Sequence, residues 1–259
     1  MLRRSSDQST LGPLSKWALG TLVLRAGPIL TGRNRALTVD DRLVILQVID
    51  SGPPTDGFAR SSLTLSMRMH TKSERTIKKA LNRLSTAGLI SIAPESMFDI
   101  DLRPLANALL KNAPGGEALV ASVTSRRPHP ASELLRRNLL LAEPSVFREF
   151  GGIKASLSPL LRLILLALPF GEDQSATASI AQLADWTGQK VQEVRAALGP
   201  VTALLGLSVG LHAGAHTFDF RGLFYVLEAE SRAEIPRTIR TSLAFLYDRQ
   251  AAFLRRHRK

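Results

Sequence analysis

Four side chains between positions 75 and 83 have the chemistry to read a nucleic acid: Arg75, Lys79, Asn82 and Arg83. Arginine forms two parallel hydrogen bonds to a guanine edge, asparagine does the same to adenine, and lysine neutralises phosphate. At 100° per residue these four lie opposite an apolar stripe of Ile77, Ala80, Leu81 and Leu84, which recurs at i, i+3, i+4 and i+7. They are the candidate base contacts. Arg68, Lys72, Ser73 and Lys78 surround them as candidate phosphate contacts, which position a protein on a duplex without specifying sequence. From Ser62 to Gly88 there are six cations (Arg68, Lys72, Arg75, Lys78, Lys79, Arg83) and one acid, Glu74. An ordinary solvated helix face is the alternative for two or three cations; six on one short segment favour a nucleic-acid surface.

The elements that must position these residues follow from their neighbours. Leu63, Leu65 and Met69 predict a short helix over Ser62–Met69, and His70-Thr71-Lys72 a tight turn. The basic helix runs from about Ser73 to Ala87, opened by Ser73 as N-cap or by a Thr71/Glu74 capping box. Gly88 stands where a helix commonly ends in a left-handed residue. Leu89–Ile92 reads as a strand, Pro94-Glu95-Ser96 as a turn. Phe98, Ile100 and Leu102 alternate with Asp99 and Asp101, the period of a half-buried strand.

The stretch Ser73-Glu74-Arg75-Thr76, the Ile77-Leu81-Leu84 stripe, and Ala87-Gly88-Leu89-Ile90 running into a hairpin resemble a bacterial winged helix-turn-helix. Small repressors and phage or plasmid replication proteins carry this module. The resemblance covers about a quarter of the chain and implies double-stranded DNA as partner, with no cofactor. The sequence departs from it at His70-Thr71-Lys72, where such turns usually hold a glycine.

Upstream, residues 1–35 are expected to form a basic arm and a helix over Leu14–Arg25, with Gly20 its weak point. Arg3, Arg4, Lys16, Arg25, Arg33 and Arg35 make this region cationic, either as a minor-groove arm or as a tail and helix packed on the first domain. Thr38–Ile49 is a helix with Leu43, Leu46 and Val48 or Ile49 inward. Thr38 or Asp40 caps it, and Asp40-Asp41 favours the positive end of its dipole. Ser51–Gly57 is a loop. Residues 36–111 thus make a first, DNA-reading domain.

Downstream, Pro104–Lys111 is a short helix and 112–130, with Asn112-Ala113-Pro114-Gly115-Gly116, a linker. Residues 131–230 form a second domain. A helix in Ser132–Phe150 carries Leu134, Leu135, Leu139 and Leu140 and is interrupted near Pro144. From Ser156 the first pattern returns. Ser158-Pro159 opens a helix over Leu160–Leu168, Pro169–Ser175 is a loop, and Ser179 caps a helix with Ile180, Leu183 and Trp186. Gln189–Leu205 is a helix kinked at Gly199-Pro200, with Val191, Val194, Leu198 and Val201 on its stripe. Leu207–Leu211 and His216–Phe220 are strands. This second basic helix offers only Lys190 and Arg195 beside Gln189, Gln192 and Glu193, a poor phosphate surface. Residues 231–259 end in a basic helix whose Ile239, Leu243, Leu246 and Phe253 suit either a homodimer seam or packing on its own domain. The expected fold class is therefore mainly α with short β-hairpins, arranged as two tandem winged helix-turn-helix domains.

The composition agrees with an anionic partner. The 259 residues carry a net charge of +12. There is no cysteine, so thiol catalysis, disulfides and cysteine zinc sites are excluded. No apolar run reaches the roughly 20 residues that cross a bilayer, which predicts a cytoplasmic, nucleoid-associated protein without membrane contact. The sequence has no GxxxxGK[ST], GxSxG or HExxH motif. His212 and His216 fall on a hairpin without cysteine or carboxylate company, so no metal is expected. The reading is a non-enzymatic, site-specific DNA-binding protein, a replication initiator or transcriptional regulator. The alternative is a non-catalytic docking subunit of a chromosome-organising or partition complex.

Overall fold

A computed structural model of the chain describes residues 16–29, 36–51, 58–59, 74–92, 99–112, 121, 130–169, 174–206, 208–209 and 214–232. The fold is mainly helical, with two small antiparallel sheets. Its first half contains α1 (Lys16–Arg25), α2 (Val39–Ser51), β1 (Phe58–Ala59), α3 (Glu74–Thr86), β2 (Ser91–Ile92), β3 (Asp99–Asp101) and α4 (Arg103–Asn112). The second contains α5 (Pro130–Leu141), α6 (Val146–Glu149), α7 (Pro159–Ala167), β4 (Ser175–Ser179), α8 (Ile180–Thr187) and α9 (Val191–Leu198). A 3₁₀ turn (Gly199–Val201), β5 (Ser208–Val209), β6 (Ala215–Asp219) and α10 (residues 221–232) complete it.

Both sheets have the same topology. The last strand lies in the middle, giving β1-β3-β2 and β4-β6-β5. Ile100 faces both Phe58 and Ile92; His216 faces both Ala178 and Val209. The expected hairpins are therefore each joined by a strand from earlier in the chain, β1 before α3 and β4 before α8 and α9. The sequence hid these strands for physical reasons. β1 has two residues, and β4 is Ser-Ala-Thr-Ala-Ser, with no aromatic and no large β-branched residue to mark it. Only pairing with β6 makes it a strand, with Ala176 and Ala178 inward.

One apolar core runs through both halves. Its centre is α2, which packs against α1, α3, α5 and α7. Neighbours on all sides explain why every residue from Asp41 to Ile49 is buried, rather than the single stripe expected. Helix α1 is also internal, with Ala18 to Leu24 buried against α2, α4, α7 and α8. Its Gly20 is a packing residue, because a Cβ there would run into the Arg136 guanidinium. Arg25, counted above with a cationic arm, instead donates to the Ala167 carbonyl (2.9 Å) and lies 5.1 Å over the Trp186 ring.

The helix ends are fixed locally. The Asp41 backbone N–H donates to the Thr38 hydroxyl (3.2 Å), while the Asp41 carboxylate accepts from the Thr38 N–H (3.1 Å) and hydroxyl (2.7 Å). Ser158 accepts from the Leu161 N–H, and Ser179 forms a reciprocal box with Gln182. At the end of α3, Gly88 takes φ +69°. The N–H groups of Gly88 and Leu89 return to the carbonyls of Ser85 and Leu84, closing two orphan acceptors.

Two buried arginines fasten the core. Arg42 donates to the carbonyls of Val23, Gly27 and Trp186, where α1 and α8 end. Arg162 donates to those of Leu139, Leu140 and Ala142, where α5 ends. Carbonyls at a helix C-terminus lack intrahelical donors and carry partial negative charge, so a cation suits them. Burial lowers both guanidinium pKa values to about 10, which leaves them charged at pH 7.

The expected linker core (113–120 and 122–129), the short helix Ser62–Met69, the turn at 70–72, the wing tip 93–98 and the C-terminal helix from Pro236 lie outside the described residues.

Candidate nucleic-acid interface

Helix α3 is seated by its apolar face. Ile77, Ala80, Leu81 and Leu84 are buried, as the stripe predicts, against a core built on α2. Each fully buried large aliphatic contributes about 1.5–3 kcal/mol, which turns this face of the helix inward. Arg75, Lys79, Asn82 and Thr86 are then all exposed, spaced i, i+4, i+7 and i+11 along one outward row. Lys78 is exposed on one flank.

Arg83 occupies the other flank. Its guanidinium reaches the Asp41 carboxylate through Nη2 (2.6 Å) and Nε (3.2 Å). Of the four expected base contacts, three stand together on the row, and the fourth turns toward α2. Thr86 joins the row instead. Its place was readable from the period of 3.6, since position 86 follows 79 and 82 on the same face. The role of Asp41 was not readable, because the ion pair joins residues 42 positions apart. Arg68, Lys72 and Ser73 lie outside the described residues.

Two further cations near the sheets are also paired. Arg103 donates from its backbone N–H and Nε to Asp101 (2.9 Å each), and Arg221 does the same to Asp219 (2.9 and 3.0 Å). The arginine hydrogen bonds hold both carboxyls below their ordinary range, Asp219 down to about 2.

The two halves match residue by residue here. Ile77, Ala80, Leu81 and Leu84 of α3 correspond to Val194, Ala197, Leu198 and Val201 around α9, and Asp101-Leu102-Arg103 to Asp219-Phe220-Arg221. The outward rows differ. Where α3 has Arg75, Lys79, Asn82 and Thr86, the second half has Gln192, Ala196, Gly199 and Ala203, all exposed and uncharged. Lys190 and Arg195 are exposed as well, beside Glu193. Val191, expected on the inner stripe, is 41% exposed. The charge asymmetry between α3 and α9 is therefore a property of the folded surface.

Among the described residues no group of three or more His, Cys, Asp or Glu could hold a metal; His216 is half-buried and His212 lies outside them. No helix among them is long and apolar enough to cross a membrane. A solvent-open cleft of about 370 Å³ lies between α1, α2 and α5, beside Trp17, Asp50 and Arg136. Compared with protein-family models, characterised proteins and solved structures, the chain matches none.

Proposed function

We propose that the chain is a double-stranded DNA-binding protein built from two tandem winged helix-turn-helix units, and that it reads a specific site through α3. The observation that carries this is the exposed row Arg75, Lys79, Asn82 and Thr86 on a helix whose opposite face is locked into the core. A helix of this diameter fits a major groove, where each bidentate side-chain contact discriminates a base pair by about 1–3 kcal/mol. The element order also supports it. In each half a helix and a strand come before the third helix, and a hairpin follows whose last strand is central in a three-stranded sheet. The biological role that fits is origin binding in plasmid or phage replication, or transcriptional regulation.

The test is selection from a randomised duplex pool, comparing wild type with Arg75→Ala/Lys79→Ala. Enrichment of a defined site that is lost in the variant is expected. On the enriched site, Lys78→Ala lowers the salt slope by about 0.9, one phosphate contact, whereas Asn82→Ala leaves the slope unchanged and relaxes base preference. Little duplex binding at any salt concentration would overturn the reading in favour of a docking subunit.

A further inference from the structure

The Asp41–Arg83 pair does more than join two helices. Asp41 is nearly inaccessible, its side chain 4% exposed, and its carboxylate is already fixed by the N–H and hydroxyl of Thr38. It is therefore a preset acceptor anchored to the first turn of α2, the central helix of the core. Arg83 lies on the flank of α3, and only part of its side chain is covered. Arg83 lies nine positions after Glu74, the start of α3, so the pair acts near the end of the helix where Asn82 and Thr86 stand.

The second half shows that the fold does not need this brace. Its central helix α7 aligns with α2 through the buried Arg42 and Arg162, which puts Leu161 where α2 has Asp41. The α9 alignment puts Pro200 where α3 has Arg83. The same sheet topology forms without either member, with α9 ending at Leu198 and Pro200 in the 3₁₀ turn that follows it. The brace is present only in the half whose third helix carries the cationic outward row.

We propose that Asp41 is the positioning residue of the reading helix, holding Arg83 so that α3 presents Arg75, Lys79 and Asn82 at one fixed rotation, and that Arg83 is withdrawn from base reading. This rests on the DNA-reading function proposed above. Two consequences are distinct. Arg83 adds almost nothing to the phosphate slope while its charge is matched by Asp41. Release of Arg83 both adds a cation to the surface and loosens the register of the row.

The full chain is tested with Arg83→Gln, Asp41→Asn and the double variant, by randomised-duplex selection and by a salt titration on one fixed duplex. Thermal unfolding first confirms which variants fold. Arg83→Gln is expected to keep the salt slope and to lose about tenfold selectivity, spread over several base pairs. Asp41→Asn is expected to steepen the slope by about 0.9 and lose similar selectivity, and the double variant to lose no more than either single one. If Asp41→Asn fails to fold, Arg83→Gln alone decides. Loss of preference at one base pair in Arg83→Gln, with the others intact, would make Arg83 a direct reader and overturn the proposal. Unchanged selectivity in Arg83→Gln would overturn it too. A wild type that selects no duplex overturns both this role and the DNA-reading function, whereas a selecting wild type with unaffected variants overturns this role alone.

Discussion

Arg42 and Arg162 occupy the same place in the two halves of the chain. Each is the fourth residue after the capping hydroxyl of its helix, Thr38 or Ser158. Each is buried and donates to the carbonyls that end an earlier helix, α1 for Arg42 and, beyond the short α6, α5 for Arg162. The equivalence extends the repeat upstream of the third helices, so that α1 stands to α2 as α5 stands to α7. It also removes charges from the surface that a net count of +12 would place there.

Replacing Arg162 removes the donors of three carbonyls at once. A buried acceptor left unpaired costs about 1–3 kcal/mol, so Arg162→Met is expected to lose on the order of 3 kcal/mol in urea unfolding. Arg162→Lys restores little, because one ammonium cannot span Leu140 and Ala142 as the planar fork does. A loss under about 1 kcal/mol would mean that the carbonyls find other donors.

The continuous core predicts cooperative unfolding of the two halves. The only two tryptophans sit in different halves, Trp17 in α1 and Trp186 in α8, with Arg136 over the first and Arg25 over the second. Trp17→Phe and Trp186→Phe leave single reporters. Their fluorescence midpoints, each corrected against circular dichroism of the same variant, are expected to coincide. Two separated transitions would show that the halves unfold independently.

Gly88 ends α3 with φ +69°, and the space a Cβ would enter is open. Gly88→Ala therefore measures backbone strain rather than a clash, and is expected to cost about 1 kcal/mol. Gly88→Asn should cost less, because asparagine tolerates the left-handed region. Equal losses in calorimetry would point to the side chain and not the backbone.

The Asp219–Arg221 contact gives a pH-dependent contribution of known sign. Hydrogen bonding from Arg221 lowers the Asp219 pKa from its ordinary 3.8 to about 2. A depressed folded pKa stabilises the protein above about pH 4, and that contribution fades as pH falls toward 2. Arg221→Gln should bring the Asp219 carboxyl resonance back toward an ordinary titration and flatten stability across this interval. The pair is largely exposed, so the change in stability is expected to be small.

The sequence alone determined the local features of this protein. The apolar stripe of α3, the outward placement of Arg75, Lys79 and Asn82, the caps at Thr38, Ser158 and Ser179, and the glycine end at Gly88 follow from helical period and backbone sterics within a few residues. The return of the pattern after Ser156 is also legible, and the paired signatures Arg42-Leu43-Val44 with Arg162-Leu163-Ile164, and Asp101-x-Arg103 with Asp219-x-Arg221, extend it. Tertiary structure decided everything that depends on partners far along the chain. It made β1 and β4 strands by pairing them with β3 and β6, and buried α2 on all sides by surrounding it. It drew Arg25, Arg42 and Arg162 into carbonyl contacts and turned Arg83 from the outward row to Asp41. A cation looks the same in sequence whether it ends in water, on a phosphate or against a buried carbonyl, because the long side chain lets distant backbone choose where its charge rests.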